Sequence, residues 1–279
     1  MRRTVAILLL LLLCLPLGAC RDDTDCLTVY FFDVGQGDAA LIRAPDGDIL
    51  IDTGTEDSQE LLCLRLEQLG VTELKLLILS HLDEDHVGGA DGVLSRFSVG
   101  EIWTNGASPQ NDSARRFFEI AERQRVPIRT VCAMSAARVG DAIITVLSPL
   151  RVADVEDGNA DSLVLTVFFG EIGILFSGDI DAEGEAELMD YYGAGVFDCD
   201  VYKVSHHGAS DASSDSFLAV ISPRYAVISC GAGNPYGHPS GETLARLENV
   251  GARILRTDLL GEIVLETNGR RLKCLTDGK

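Results

Sequence analysis

Five histidines occur in this chain, at positions 81, 86, 206, 207 and 238, and each stands in a polar, glycine-containing corner behind a strand-like run. Core histidines sit among apolar neighbours, so this distribution points to chemistry. His81, Asp83, Asp85 and His86 fall within six residues of the segment SHLDEDHVGG, residues 80–89. Such a density of imidazole and carboxylate is costly in a folded protein unless a cation compensates it. A further carboxylate, Asp179, follows the apolar run 174–176 in FSGD, and His206 and His207 follow another in KVSHHGAS. The expectation is a divalent-metal site assembled from separate corners. Mixed imidazole and carboxylate donors suit zinc, and additional oxygen donors shift preference toward manganese or magnesium, so zinc or manganese is expected.

The elements that must position these corners alternate along the chain. Strands are predicted over 27–34, 39–43, 48–52 and 74–79, the last a continuous apolar run as expected of a strand buried on both faces. Leucines at helical spacing fill 56–69, and Gly70 is placed to end that helix. Helices near 91–98 and 113–125 and strands near 102–104 and 143–147 follow. The second half repeats the plan, with strands 163–169, 172–177, 200–204 and 225–229, helices 183–192, 214–221 and 241–250, and a closing pair of strands. Strand runs separated by helices in both halves predict an α/β domain of two sheets covered by helices. No linker rich in Pro, Gly or Ser divides it.

The amino terminus has the anatomy of a secretory signal: Arg2 and Arg3, an apolar run over 5–17, then Gly18 and Ala19. The apolar run is short for a membrane span. Leu17-Gly18-Ala19-Cys20 resembles the bacterial lipobox, which implies cleavage before Cys20 and its lipidation. The expected organisation is a lipoprotein-type signal peptide over 1–19, a lipidated tether over 20–27 and a catalytic domain over 28–279. The mature protein is then extracytoplasmic and lipid-anchored to the bacterial membrane. Beyond Cys20, cysteines stand at 26, 63, 132, 199, 230 and 274 with no CxxC pair, so a cysteine-ligated zinc is not expected. An oxidising compartment permits disulfides, and one between Cys26 and Cys274 would tie the two ends of the domain.

The corners resemble the metallo-β-lactamase fold, and within it the branch that includes the exported domain of ComEC/Rec2 competence proteins. The resemblance is carried by FFDVGQGDA (31–39), LIDTG (50–54), SHLDEDHVGG (80–89), NADSLVL (159–165), FSGD (176–179), KVSHHGAS (203–210), NPYGHPS (234–240) and TDLLGEI (257–263). It implies a four-layer αββα sandwich of two mixed sheets and a hydrolase holding one or two metal ions. The superfamily's HxHxDH corner has Asp83 in place of its second histidine. His81 then matches metal site one, Asp85 and His86 site two, and Asp179 the carboxylate bridging both. One of His206 and His207 matches the last histidine of site two, and Asp83 is a further oxygen donor. The third-motif histidine is absent, with Asn159 and Ser162 in its region. Asp52 matches a carboxylate that orients the metal corner, or else caps the following turn.

Metal-activated water is the nucleophile this implies, with Asp85 orienting it. Lys203 is a candidate phosphate contact and His238 a candidate proton donor to a leaving oxygen. The resemblance favours a phosphodiester substrate, DNA among them. Charge opposes long-range capture of DNA: 23 basic against 43 acidic residues leave −20, without a basic stripe. Competing readings are a hydrolase of a lactone, another non-nucleic-acid ester or a cell-wall phosphoester, and a noncatalytic binding lipoprotein.

Overall fold

The computed structural model describes residues 26–152 and 158–276, so the signal segment and most of the tether lie outside the described residues. One sheet runs in the order β16 (Leu272–Cys274), β15 (Ile263–Thr267), β1 (Leu27–Phe31), β2 (Ala40–Ala44), β3 (Gly47–Ile51), β4 (Glu73–Ile78), β6 (Ile102–Thr104), β7 (Ile128–Thr130). The short β5 (Ser98–Val99) also pairs with β4. The other runs β14 (Arg253–Arg256), β13 (Tyr225–Ile228), β12 (Val201–Lys203), β11 (Ile172–Phe176), β10 (Val164–Phe169), β9 (Ala142–Ser148), β8 (Ala136–Val139).

Both sheets are mixed in the same way. From β16 to β3 the pairing is antiparallel, and from β3 to β7 it is parallel. From β8 to β11 it is antiparallel, and from β11 to β14 parallel. Parallel strands release their connections at one common edge, where side chains from distant parts of the chain can meet.

Alternation of side chains along each strand builds three apolar layers. Between the sheets lie Phe31, Ile49, Ile78 and Trp103 from one and Ile144, Leu165, Phe176 and Val227 from the other, with the rings of Phe31 and Phe176 at 5.9 Å. Outside the first sheet, Leu50 and Leu77 meet Leu62 of α1 (Gln59–Gln68), Val93 of α3 (Ala90–Arg96) and Phe117 of α4 (Asp112–Gln124). The short α2 (Glu84–Val87) lies between the first two in sequence. Outside the second sheet, Leu175 and Tyr202 meet Leu188 of α5 (Ala182–Tyr192), Phe217 of α6 (Asp215–Ile221) and Leu247 of α7 (Gly241–Asn249). A last turn, α8 (Thr257–Leu260), precedes β15. The result is the expected αββα order of layers.

Several sequence expectations shift. The first strand stops at Phe31, one residue before a last bond in the same register, from the Phe32 N–H to the Ala39 carbonyl at 3.0 Å. The helix expected from 56 begins as a 3₁₀ turn, Glu56–Ser58, before α1. Strands β7, β8 and β14 carry no clear apolar alternation; β7 is exposed throughout. The bridge expected between Cys26 and Cys274 is not formed: β15 lies between β1 and β16, and the register sets the two residues well beyond the reach of a disulfide.

Phe176→Ala is expected to lower unfolding free energy by about 3–5 kcal/mol in chemical denaturation, since it empties the space facing Phe31. A loss below about 1 kcal/mol would contradict the placement of the inter-sheet core.

Candidate metal centre

The functional corners all leave the C-terminal ends of the strands in the two parallel halves. Just past β3, Asp52 has a left-handed backbone (φ 56). Its carboxylate accepts the Ser80 N–H at 2.7 Å and the Ser80 hydroxyl at 2.8 Å, and lies 3.0 Å from His86 Nδ1. Of the two readings of Asp52, the structure therefore shows the orienting one. Beyond β4, the His86 carbonyl accepts the Thr53 N–H at 2.7 Å and its hydroxyl at 2.8 Å, which ties the histidine corner to the end of β3. Gly37 and Gly89 permit this closeness: a Cβ on Gly37 would meet the Asp85 carbonyl oxygen at 2.5 Å, and one on Gly89 the Thr53 carbonyl oxygen at 2.4 Å.

Asp179 follows β11, its N–H donating to the Ser162 hydroxyl at 3.1 Å. The turn after β12 holds His206 (φ 49) and His207 (φ 54), consecutive left-handed residues that cost on the order of 1–3 kcal/mol each. The Ser205 hydroxyl, donating to the Ile180 carbonyl at 2.5 Å, and the His207 Nδ1–H, donating to the Ser229 carbonyl at 3.0 Å, hold that turn.

These anchors share one consequence. His86 Nδ1 is engaged by Asp52, His207 Nδ1 by Ser229, and His81 Nδ1 lies 3.1 Å from the Ser80 hydroxyl and 3.3 Å from that of Ser162. Each ring is left with Nε2 to offer. The three Nε2 atoms and Asp179 Oδ1 are buried and make no hydrogen bond among the described residues. His86 Nε2 is 3.4 Å and His207 Nε2 3.5 Å from Asp179 Oδ2, and His207 Nε2 is 3.1 Å from Asp85 Oδ2. Ligand atoms of His81, His86 and Asp179 lie within 4.8 Å of one another, as do those of Asp85, His86 and His207. These two donor sets overlap at His86, whose single free lone pair can serve one cation, and Asp179 lies near both, so the residues present fit one or two divalent cations that would satisfy the four buried polar atoms.

Charge within the cage agrees. Burial opposes a proton on His86 and His207, but Asp179 beside both, with Asp52 at the first and Asp38 at the second, outweighs it and raises both well above the ordinary imidazole range. Asp179, though buried, is held well below the usual carboxylate range by the same two rings. Asp85 is also lowered: burial opposes this, but the adjoining His207 ring and the His86 charge prevail. Burial, reinforced by His86, brings His81 down to about 3. Protons on His86 and His207 thus occupy the electrostatic role that a cation would take.

Other predicted residues stand further out. Asp83, half-exposed, has Oδ2 3.8 Å from His81 Nε2, at the mouth of the cage. His206 turns away from it, with Nδ1 3.5 Å from Asp211 and Nε2 3.3 Å from Asn159 Nδ2, so His207 is the member of the pair aimed inward. Lys203 does not face a substrate: its buried ammonium lies 2.6 Å from Asp38 Oδ2 and donates to the Val204 carbonyl. His238 is brought beside His206 and His207, ring centres 5.6 and 6.5 Å away. Burial and then the charges of those two rings lower its proton affinity, which disfavours the donor role expected of it. Ser240 caps α7, accepting the Thr243 N–H at 3.0 Å. Asp38 was missed as a functional residue. It pairs with Lys203 and lies 3.3 Å from His207 Nδ1, and its signal was an acidic residue inside the glycine-rich FFDVGQGDA corner.

A model described as metallo-beta-lactamase superfamily matches residues 32–232. The ComE operon protein 3 of Bacillus subtilis (strain 168) is 31% identical over 253 residues, covering 84% of this chain and 32% of that protein. Competence protein ComA of Neisseria gonorrhoeae is 34% identical over 236 residues, covering 84% and 31%. The match thus spans about a third of the length of these curated relatives. Among solved structures, the metallo-beta-lactamase fold protein YhfI from Bacillus subtilis superposes with a TM-score of 0.59, over 88% of this chain and 100% of that one, at 11% identity. That last likeness is one of fold.

Because His86 and His207 must lose their protons to bind a cation while His81 is already neutral, zinc binding near neutral pH is expected to release about two protons. Apparent affinity then rises with pH across the neutral range. Calorimetry in buffers of different ionisation enthalpy reads this directly; binding without proton release would contradict the charge assignment.

Proposed function

We propose that this chain, which belongs to the metallo-β-lactamase superfamily, is a metal-dependent phosphodiesterase acting on nucleic acid outside the cytoplasmic membrane. The observation that carries the reading is the convergence of His81, His86 and His207 Nε2 with Asp179 Oδ1, all buried and without a hydrogen bond among the described residues. Divalent ions held there would neutralise a phosphate and bring the pKa of water toward neutrality. His81, Asp85, His86, His207 and Asp179 are the residues that would hold them, with Asp83 at the mouth.

Asp85 has a further task. Its side chain is 32% exposed where Asp179 is 4%, so it faces the cage and solvent together. Its carboxyl stays ionised, held down chiefly by His207 and His86 against burial. An ionised carboxylate at that boundary accepts a hydrogen bond from an incoming water and aims its lone pair inward. Behind the cage, the Asp38–Lys203 pair and Asp52 fix the imidazoles, so that little rearrangement is needed when an anion arrives.

Similarity to proteins named for competence supports nucleic acid as the substrate class. With −20 net charge, the substrate is drawn by the cage itself, and the salt dependence of binding should be shallow. Among the described residues no helix is long and apolar enough to cross a membrane. Attachment is assigned to acyl chains on Cys20, on the strength of the Leu17-Gly18-Ala19-Cys20 sequence.

The purified full chain, loaded with manganese or zinc, is expected to hydrolyse bis(p-nitrophenyl) phosphate and single-stranded DNA. His86→Ala and Asp179→Ala should each lower kcat/KM roughly a thousandfold, as losing several kcal/mol of charge stabilisation requires. Faster turnover of lactones than of phosphodiesters, or full activity in both variants, would refute the assignment. Cys20→Ser is expected to move the protein from the membrane fraction to the soluble fraction on cell fractionation; unchanged membrane association would refute the anchor.

A further inference from the structure

The loop after β13 carries a large aromatic side chain that the fold does not use. Tyr236 is 69% exposed, yet its ring is parallel to that of His238, 5.7 Å away with an interplanar angle of 27°. His238 in turn stacks on the cage histidine His207, 6.5 Å away at 22°. Three near-parallel rings therefore lead from the metal centre to solvent, and the outermost presents an open face.

The backbone that carries the column is pinned by one side chain. Asn234 Oδ1 accepts the N–H groups of Tyr236 at 3.1 Å and His238 at 3.0 Å. Its Nδ2 donates to the carbonyls of Gly231 at 2.9 Å and His238 at 2.6 Å. The Gly231 N–H is fixed to Gln36 Oε1 at 3.1 Å, so the loop is tied to the corner that carries Asp38. A single exposed tyrosine is unremarkable on a protein surface. One that lies in line with rings leading out from the metal centre, on a backbone pinned by Asn234, is placed to meet the substrate.

We infer that Tyr236 is a stacking platform for a nucleobase neighbouring the phosphate held at the cage, which selects unpaired strands over duplexes. The inference rests on the phosphodiesterase reading. The sequence of this acidic chain holds no long basic run to follow a sugar–phosphate backbone, and stacking supplies affinity without charge. Every base has a π-face, so the platform is tolerant of sequence, but in a duplex those faces are covered by neighbouring pairs. A duplex base would first have to leave its stack.

The test compares a single-stranded oligothymidylate with an abasic oligonucleotide of equal length, using the metal-loaded full chain. The wild type should prefer the base-bearing strand, and Tyr236→Ala should reduce that preference, as a ratio of kcat/KM values, by about tenfold, mainly through KM. Tyr236→Phe and Tyr236→Trp should retain it. A wild type that cleaves both strands with no preference, or a preference unchanged in Tyr236→Ala, overturns the platform and leaves the phosphodiesterase standing. A metal-loaded wild type that cleaves neither strand overturns both.

Discussion

Hydrogen bonds at the Nδ1 atoms of His81, His86 and His207 set the direction in which each ring offers its other nitrogen. Asp52 and the Ser229 carbonyl can only accept from these rings, so for His86 and His207 the proton sits on Nδ1 and the neutral ring keeps its lone pair on Nε2. The rest of the structure serves to keep those acceptors where they are. Asp52 is held by Ser80 at the end of β4, and Ser229 sits at the end of β13, so the two sheets each supply an anchor. A cage assembled from both sheets is only as rigid as the apolar layer between them, which is why Phe31, Trp103 and Phe176 matter to the chemistry as well as to stability.

The electrostatic problem is the burial of Asp38, Asp52 and Asp179 within one region. Isolated carboxylates there would be strongly unfavourable. Lys203 offsets Asp38, and protons on His86 and His207 offset Asp179, which leaves Asp52 raised by burial despite His86. Two features follow from this balance. Protons on the two imidazoles offset the buried carboxylates, and any cation must compete with those protons. Lys203 is thus tied to structure by Asp38, and its absence from the substrate face follows from the same pairing.

Much of this was legible in the sequence, for identifiable reasons. The continuous apolar run of β4 announced a strand covered on both faces, and Leu76 and Ile78 do face one layer while Leu77 and Leu79 face the other. Clustering of His81, Asp83, Asp85 and His86 was visible because those residues are neighbours in the chain. What sequence could not decide was direction. His206 and His207 are adjacent and chemically identical, and only the left-handed turn, with its bond to Ser229, turns one inward and the other toward Asn159. Lys203 looked like a phosphate ligand because its partner lies 165 positions earlier in the chain, at Asp38. Edge strand β7 escaped notice because exposed strands show no apolar alternation.

With an acidic chain and inward-facing donors, the proposed function would concentrate binding strength at a small buried centre instead of spreading it over a charged face. The central claim is that His81, His86 and His207 meet a cation through Nε2, together with carboxylate oxygens. X-ray absorption spectroscopy on the zinc-loaded full chain tests this most directly. The account predicts imidazole nitrogens and carboxylate oxygens at roughly 2.0–2.2 Å, with an imidazole contribution that diminishes in His207→Ala. A shell of water oxygens alone, or imidazole scattering unchanged from the wild type in both His86→Ala and His207→Ala, would contradict it.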